Sequence, residues 1–305
     1  MTKTWANSDW KRRMKIRTHC NFCQKKSLGY KYSFEDYSIL ECKFCGFVLR
    51  DRILSFKEEE ELYQKDYYLN IQKEYFINCL TPHPKDKSRM KDFSKRLELL
   101  EKITPDKKQK KLIDIGAGTG AFGYLADQRG WKSLNLEISP FAAEIAKKKF
   151  KVSVYKGNFS NNKFLEHGFE VATLWESVAN IEDTHRLFKK INKVLNKNGK
   201  IAILTTVIDS WLYDLAKLIY IMTFGKVHYF VREGFPIHHS NHFTRKHLKK
   251  FLENSGFRII YQSNEEIPYK YTKLPKYYLP LLLLVGQIAK FFGRSIQFLV
   301  IAQKI

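Results

Sequence analysis

The sequence predicts an α/β protein: a doubly wound, mostly parallel sheet with a small metal-binding module in front of it. Three observations carry that prediction. From Lys111 onward, short apolar runs alternate with helical stretches, the rhythm of strand, crossover helix and parallel strand. The first of these runs, KLIDI, enters a glycine cluster at residues 116–120. Near the N-terminus, four of the five cysteines fall into two C-x-x-C pairs.

Composition sets the outer bounds. A chain of 305 residues suggests one large domain with an appendage, and 44% hydrophobic content is enough to build a core. The net charge of +23 suits nucleic acid or an anionic membrane surface. Its Lys residues are spread along the chain and form no arginine-rich tract, so solvated faces are the simplest reading. The start, MTKTWANSDWKRRMKIRTHC, lacks the apolar core of a signal peptide. A cytoplasmic protein is expected, and in that compartment paired cysteines usually mean metal. The longest apolar run, YYLPLLLLVGQIA at 277–289, is too short to span a bilayer.

Taken in order, residues 1–52 read as a zinc-ribbon-like module. Cys20, Cys23, Cys42 and Cys45 bring four thiolates to one point and suit structural, tetrahedral zinc. Gly46 fits a knuckle, and Tyr30, Tyr32, Phe34 and Tyr37 can build the hairpin between the pairs. Four protein ligands leave no position for substrate, so the metal is expected to fold the module. Cys79 reads as an ordinary half-buried thiol. Residues 53–110 form a charged helical linker, with Leu97, Leu99, Leu100 and Ile103 as an apolar stripe for the next domain. TPHPKDKSR from Thr81 reads as a loop, and PDKKQKK from Pro105 as a solvated link.

In the domain at 111–305, KLIDI is the first strand and a helix follows from about Ala121 to Gln128, closed by Gly130. KSLNLE is the second strand. Ser139 and Pro140 then cap a helix reaching Phe150. VSVYKGN, FEVATLWES and GKIAILTT supply further strands. The helix before GKIAILTT shows Leu187, Ile191 and Val194 on one face and is expected to stop at Asn198-Gly199. Ligand should bind at the carboxyl ends of these strands.

The glycine loop, DIGAGTGAFG, can be parsed in two registers. From Gly118 it is G-x-G-x-x-G, the dinucleotide fingerprint. From Gly116 it is G-x-G-x-G with Asp114 two places ahead. The strand ends nearer Gly116, and a carboxylate beside a pyrophosphate would repel it. S-adenosylmethionine has no phosphate and carries an ammonium and a sulfonium, so the loop favours that cofactor. Glu137, ending the second strand, suits ribose hydroxyls in either case.

LIDIGAGTG, Glu137, FEVATLWES and NKNGKIAILTT together resemble the Rossmann-like (class I) S-adenosylmethionine-dependent methyltransferases. NHFTRKHLKKFLENSGFRI resembles that family's late helix and strand, and RSIQFLVIAQK its last strand. The resemblance implies a seven-stranded sheet with the last strand antiparallel. A zinc-ribbon-like segment before such a domain resembles a bacterial subgroup that includes sugar and polysaccharide-cluster methyltransferases. By position, Asp114, Gly116, Ala117 and Gly118 would line the methionine end of the cofactor. Glu137 and Ile138 would meet the ribose, Asn158 and Phe159 the adenine, and Trp175 the reacting end. Two positions depart from the pattern. Asn158 stands where Asp is frequent, and Ala179-Asn180 where Glu-His is frequent.

An exocyclic-amine motif of the Asn/Asp-Pro-Pro-Tyr/Phe type is missing after FEVATLW, and no cysteine follows Cys79. Both lower the nucleic-acid reading. Trp175 and Glu176 end the fourth strand, where methyl transfer is expected. FPIHHSNHF adds His238, His239 and His242, of which His239 is the candidate base or substrate contact, with Glu176 beside it. An insertion at 208–242 contains WLYDLAKLIYIMTFGK, with Leu212, Leu215, Ile219 and Met222 on one helical face. LPKYYLPLLLLVGQIAKFFGR, flanked by Lys276, Lys290 and Arg294, is similarly apolar. The two segments suit either a lid and a core helix or contact with an anionic membrane at the inner face. The reading is methyl transfer to O or C of a small or lipid-linked acceptor, a sugar or polysaccharide precursor favoured. An RNA methyltransferase and a non-catalytic zinc-ribbon adaptor are the alternatives.

Overall fold

A computed structural model describes residues 15–68, 87–104, 110–157, 159, 167–266 and 279–305. The N-terminal module opens with β1 (Lys15–Ile16), then the hairpin β2 (Leu28–Ser33) and β3 (Ser38–Cys42), then β4 (Val48–Arg50) and β5 (Arg52–Ile53). Helix α1 (Phe56–Leu62) starts in a capping box: Ser55 Oγ accepts from Glu58 N and the Glu58 carboxylate accepts from Ser55 N. Helix α2 (Lys87–Ile103) takes in the end of the expected loop. Leu97 and Leu100 of its apolar stripe are fully buried.

The main domain runs β6 (Lys110–Ile115), α3 (Ala121–Gln128), β7 (Trp131–Glu137), α4 (Pro140–Ile145), β8 (Val154–Lys156) and β9 (Phe169–Trp175). It continues through α5 (Thr184–Val194), β10 (Leu195–Thr206), α6 (Trp211–Met222), α7 (Tyr229–Gly234) and β11 (Asn241–His242). The last elements are α8 (Arg245–Glu253), β12 (Phe257–Glu265), α9 (Leu279–Phe291) and β13 (Gln297–Lys304). Ser139 caps α4 by accepting from Ala142 N, and the chain reaches Phe150 through a wider π turn. Helix α5 stops at Val194, earlier than expected, because Leu195 is already extended. Asn198, at φ +64, bends the chain later, inside β10.

Seven strands form one sheet in the order β12-β13-β10-β9-β6-β7-β8. β6, β7, β8, β9 and β10 are mutually parallel, while β13 runs antiparallel to both neighbours. Alternation along the central strands sends side chains to opposite layers. Ile113, Ala172 and Ile203 pack with Leu187, Phe188 and Ile191 of α5. Leu112, Val171 and Ala202 pack with Phe122 of α3 and with Leu97 and Leu100 of α2.

The N-terminal module does not stand apart. Its sheet takes its fourth strand from the main domain, as β11 pairs with β4 through Asn241↔Leu49 and His242↔Val48. Phe47 sits among Phe22, Phe243, His247 and Phe251, with ring centroids 5.2–5.9 Å away. Arg17, almost fully buried, pairs with Glu182 and donates to Arg50 O. These contacts fix the module against β11, α8 and the turn after β9. Phe47→Ala should destabilise the protein by about 3–5 kcal/mol, measured as a lower denaturant midpoint in zinc-containing buffer.

Candidate functional site

The glycine loop joins β6 to α3. Gly116, Gly118 and Gly120 all have positive φ, at 78°, 56° and 80°. A Cβ on Gly116 would lie 2.5 Å from Ser177 Cβ, and one on Gly120 would lie 2.7 Å from Val152 Cγ2. The loop is thus a cradle that side chains would fill. Ser177 Oγ donates to Ile115 O at 2.6 Å and ties the end of β9 to the loop.

Glu137, at the end of β7, gathers the loop around a carboxylate. It accepts from Gly118 N at 2.7 Å, from Ser139 N at 2.8 Å and from Tyr68 OH at 3.5 Å. Burial raises its pKa against the pull of these donors. Its position suits the ribose contact expected of it. Asp114 sits deeper. It is 2% exposed, Thr173 Oγ1 donates to it at 2.7 Å, and burial lifts its pKa to about 7. It stands in the sheet behind the loop, leaving exposed Gly116 and half-buried Ala117 and Gly118 as the rim.

Trp175 packs against Phe122 of α3 at 5.0 Å and beneath the Arg96 guanidinium at 5.3 Å, with its indole N–H buried and unpartnered. Glu176 follows with φ +57, a costly conformation for a non-glycine residue at the end of a strand. Gln297 Nε2 donates to its carboxylate at 2.5 Å. Ile138 packs with Tyr67 and Tyr68, while Phe159 is buried in the core beside Lys190. Asn158 and Cys79 lie outside the described residues.

Beyond this end of the sheet, three tyrosines and three histidines meet. Tyr63, Tyr67 and Tyr68 follow α1 and stack edge to face at 4.9 and 5.2 Å. Tyr67 also meets His238 at 5.4 Å. His238 and His239 lie 4.7 Å apart, and His239 and His242 5.7 Å. Arg50, fully buried, donates to Arg52 O at 3.0 Å, to Ser240 Oγ at 3.1 Å and to Ile237 O. Burial, aided by the Arg50 charge, pushes His239 down to about 4 and holds His238 and His242 well below their ordinary value. All three imidazoles are therefore neutral at pH 7. Ser240 N donates to Ala179 O at 2.9 Å, so this segment lies against the Ala179-Asn180 turn. Asn180 Oδ1 and His242 Nε2 are buried without a partner.

In the N-terminal module, the four Sγ atoms of Cys20, Cys23, Cys42 and Cys45 all lie within 4.8 Å of one another. The pairs Cys20–Cys45 and Cys23–Cys42 are each 3.6 Å apart, close to the edge of about 3.8 Å expected of a tetrahedral zinc–thiolate centre. Gly46 at φ +75 makes the second knuckle turn. The donor set fits a closed structural zinc site.

A sequence profile described as a methyltransferase domain matches residues 86–262, more than half of the chain. The chain belongs to this methyltransferase family. A curated relative from Alkaliphilus oremlandii (strain OhILAs), described as an uncharacterized methyltransferase, is 29% identical over 117 residues, covering 35% of this chain and 51% of the relative. The chain thus spans about half the length of the curated relative it matches. Among solved structures it is similar to a possible histamine N-methyltransferase from Thermotoga maritima, with a TM-score of 0.52 and 18% identity, covering 81% of this chain and 100% of that one. It is also similar to phosphoethanolamine N-methyltransferase 2 of Haemonchus contortus, solved with S-adenosylhomocysteine, with a TM-score of 0.52 and 15% identity, covering 84% of this chain and 62% of that one. At these identities the likeness is one of fold.

In a methyltransferase domain, the cradle and Glu137 are the groups that could hold S-adenosylmethionine. No local sequence signal marks Tyr63, Tyr67, Tyr68 and Arg50 as site residues. The tyrosines were hidden in a charged stretch that reads as linker, and Arg50 in a module that reads as separate. Gly116→Ala should weaken S-adenosylhomocysteine binding at least about tenfold, since the new methyl meets Ser177 and φ is unfavourable. Titration calorimetry on a variant with unchanged circular dichroism checks this. Removing metal with a chelator, or Cys42→Ser, should abolish bound zinc and lower Tm, as metal analysis and a thermal melt would report.

Proposed function

We propose that this chain transfers a methyl group from S-adenosylmethionine to oxygen or carbon of a small or lipid-linked acceptor, a sugar or polysaccharide precursor being favoured. The carrying observation is the group of neutral histidines and stacked tyrosines beside the end of β9 that follows the cofactor cradle. Tyrosine faces with uncharged hydrogen-bonding groups suit a polyhydroxylated ring.

When bound, S-adenosylmethionine supplies an electrophilic methyl group. Attack is in line, so positioning carries most of the rate. The acceptor oxygen bonds to the methyl carbon as the carbon–sulfur bond breaks, its electrons leaving with the sulfur of S-adenosylhomocysteine. The hydroxyl proton passes to His239, which can receive it because its imidazole is neutral. Burial and the Arg50 charge lower the basicity of that imidazole, so the proton moves once O–C bond formation has made the hydroxyl strongly acidic. Glu176, fixed by Gln297, flanks the transfer position.

The test is incubation with methyl-labelled S-adenosylmethionine and three acceptor pools: nucleotide sugars, lipid-linked glycans and total RNA. Label in a sugar or glycan fraction is expected, and label in RNA alone would contradict the proposal. S-adenosylhomocysteine binding without transfer to any pool would favour the adaptor reading. His239→Gln should lower kcat by roughly 10²–10⁴-fold while leaving S-adenosylhomocysteine affinity unchanged. The pH profile adds a signed expectation. With the His239 pKa lowered to about 4, its proton-accepting form persists on acidification, so its acid limb should fall well below the pH of about 6.5 expected for a solvated histidine.

A further inference from the structure

Helix α6 turns its apolar stripe outward. Leu212, Leu215, Leu218, Ile221 and Met222 are exposed, Met222 at 70%. The residues that face inward are Tyr213, Ala216 and Tyr220, packed on Tyr32, Phe235 and Val231. A core helix would have reversed this. The exposed surface continues through Phe224, 91% exposed, and on to Val227, Tyr229 and Phe230. Helix α9 adds Leu283, Leu284, Ile288 and Phe291, and Phe292 follows it, with Phe291 84% exposed. The first turn of α6 meets the segment that follows α9, where Trp211 N donates to Arg294 O at 3.0 Å and Arg294 pairs with Asp214. α6, the Phe224 turn and α9 with Phe292 therefore carry a large share of the exposed large hydrophobic side chains among the described residues, more than soluble surfaces ordinarily gather.

We propose that this surface, made by α6, the turn around Phe224 and α9 from Leu283 onward, docks on an anionic lipid bilayer. Two features select that occupant. Exposed Lys217, Lys226 and Lys290 accompany the apolar groups, as interfacial helices require. A symmetric contact between two copies would bring like charges together in a chain of net charge +23, whereas anionic headgroups neutralise them. The aromatic rings at Phe224, Tyr229, Phe230, Phe291 and Phe292 are the side chains that favour the bilayer boundary. No helix among the described residues is long and apolar enough to cross a membrane, so docking is peripheral.

The surface bears on the acceptor. The inward face of α6 carries Tyr213, whose hydroxyl donates to Gly234 O at 2.5 Å and whose pKa burial and the Glu176 charge both raise. The helix proposed to meet the bilayer thus turns its other face toward Glu176, the residue after β9. Resting on the proposed methyl transfer, this selects the lipid-linked member of the acceptor class.

The test is co-sedimentation of the zinc-loaded full chain with phosphatidylglycerol-containing vesicles and with pure phosphatidylcholine vesicles, at low and at high salt. Binding to the anionic vesicles, weakened by salt, is expected. The double variant Phe224→Asn/Phe291→Ser should lose roughly tenfold or more of that partitioning, with Tm and S-adenosylhomocysteine affinity unchanged. Asn suits position 224 because its φ is +51. Failure to pellet with anionic vesicles at low salt, or equal pelleting of the variant, would overturn the proposal. So would a concentration-dependent dimer, seen by light scattering, that the variant abolishes. Vesicle binding by a protein that does not bind S-adenosylhomocysteine would overturn the methyl-transfer reading and leave the docking surface standing.

Discussion

The rest of the structure depends on the joint between the metal module and the carboxyl ends of the sheet. Arg17 and Arg50 are buried guanidinium groups, which are tolerable only if engaged on all sides. Arg17 meets Glu182, Asn21 Oδ1 and Arg50 O, and Arg50 meets Arg52 O, Ile237 O and Ser240 Oγ, with Glu182 3.9 Å away. These contacts span the module, the turn after β9 and the histidine segment. Removing one partner would leave a buried charge uncompensated. The joint therefore specifies one arrangement of three chain regions that are far apart in sequence.

Its consequences run in two directions. Toward the sheet, it sets the histidine segment against Ala179 and beside the tyrosines that follow α1, one of which reaches Glu137. The cofactor cradle and the proposed acceptor side thereby share a wall. Toward the metal, it makes the zinc centre part of the site's foundation: His247 faces Cys45 O at 3.1 Å, His185 faces Phe22 O at 3.0 Å, and Phe47 enters the main core. A closed set of four cysteines leaves no position for substrate, yet the shape around His239 rests on the strand next to it.

Much of this was legible in the sequence wherever a local rule governed the outcome. The helix at Ala121–Gln128 and the cap at Ser139 were readable because glycine, serine and proline punctuate the chain for reasons of backbone geometry. The cysteine spacing announced the cluster. What was not legible were outcomes set by pairing at long range. The strand at Asn241–His242 is two residues long and exists only because β4 offers an edge. Arg50 looks like any surface arginine until that edge is covered. The outward turn of α6 was hidden as well, since a 3.6-residue stripe shows that one face is apolar without showing which face is buried.

Hydrogen exchange on zinc-loaded and metal-stripped protein tests most directly the claim that the metal module is a wall of the site. On removal of zinc, amides at 178–183 and 237–243 should lose protection together with those of the module, while β6, β7 and the glycine loop keep theirs. Loss confined to residues 15–53 would show a separate appendage and contradict the account.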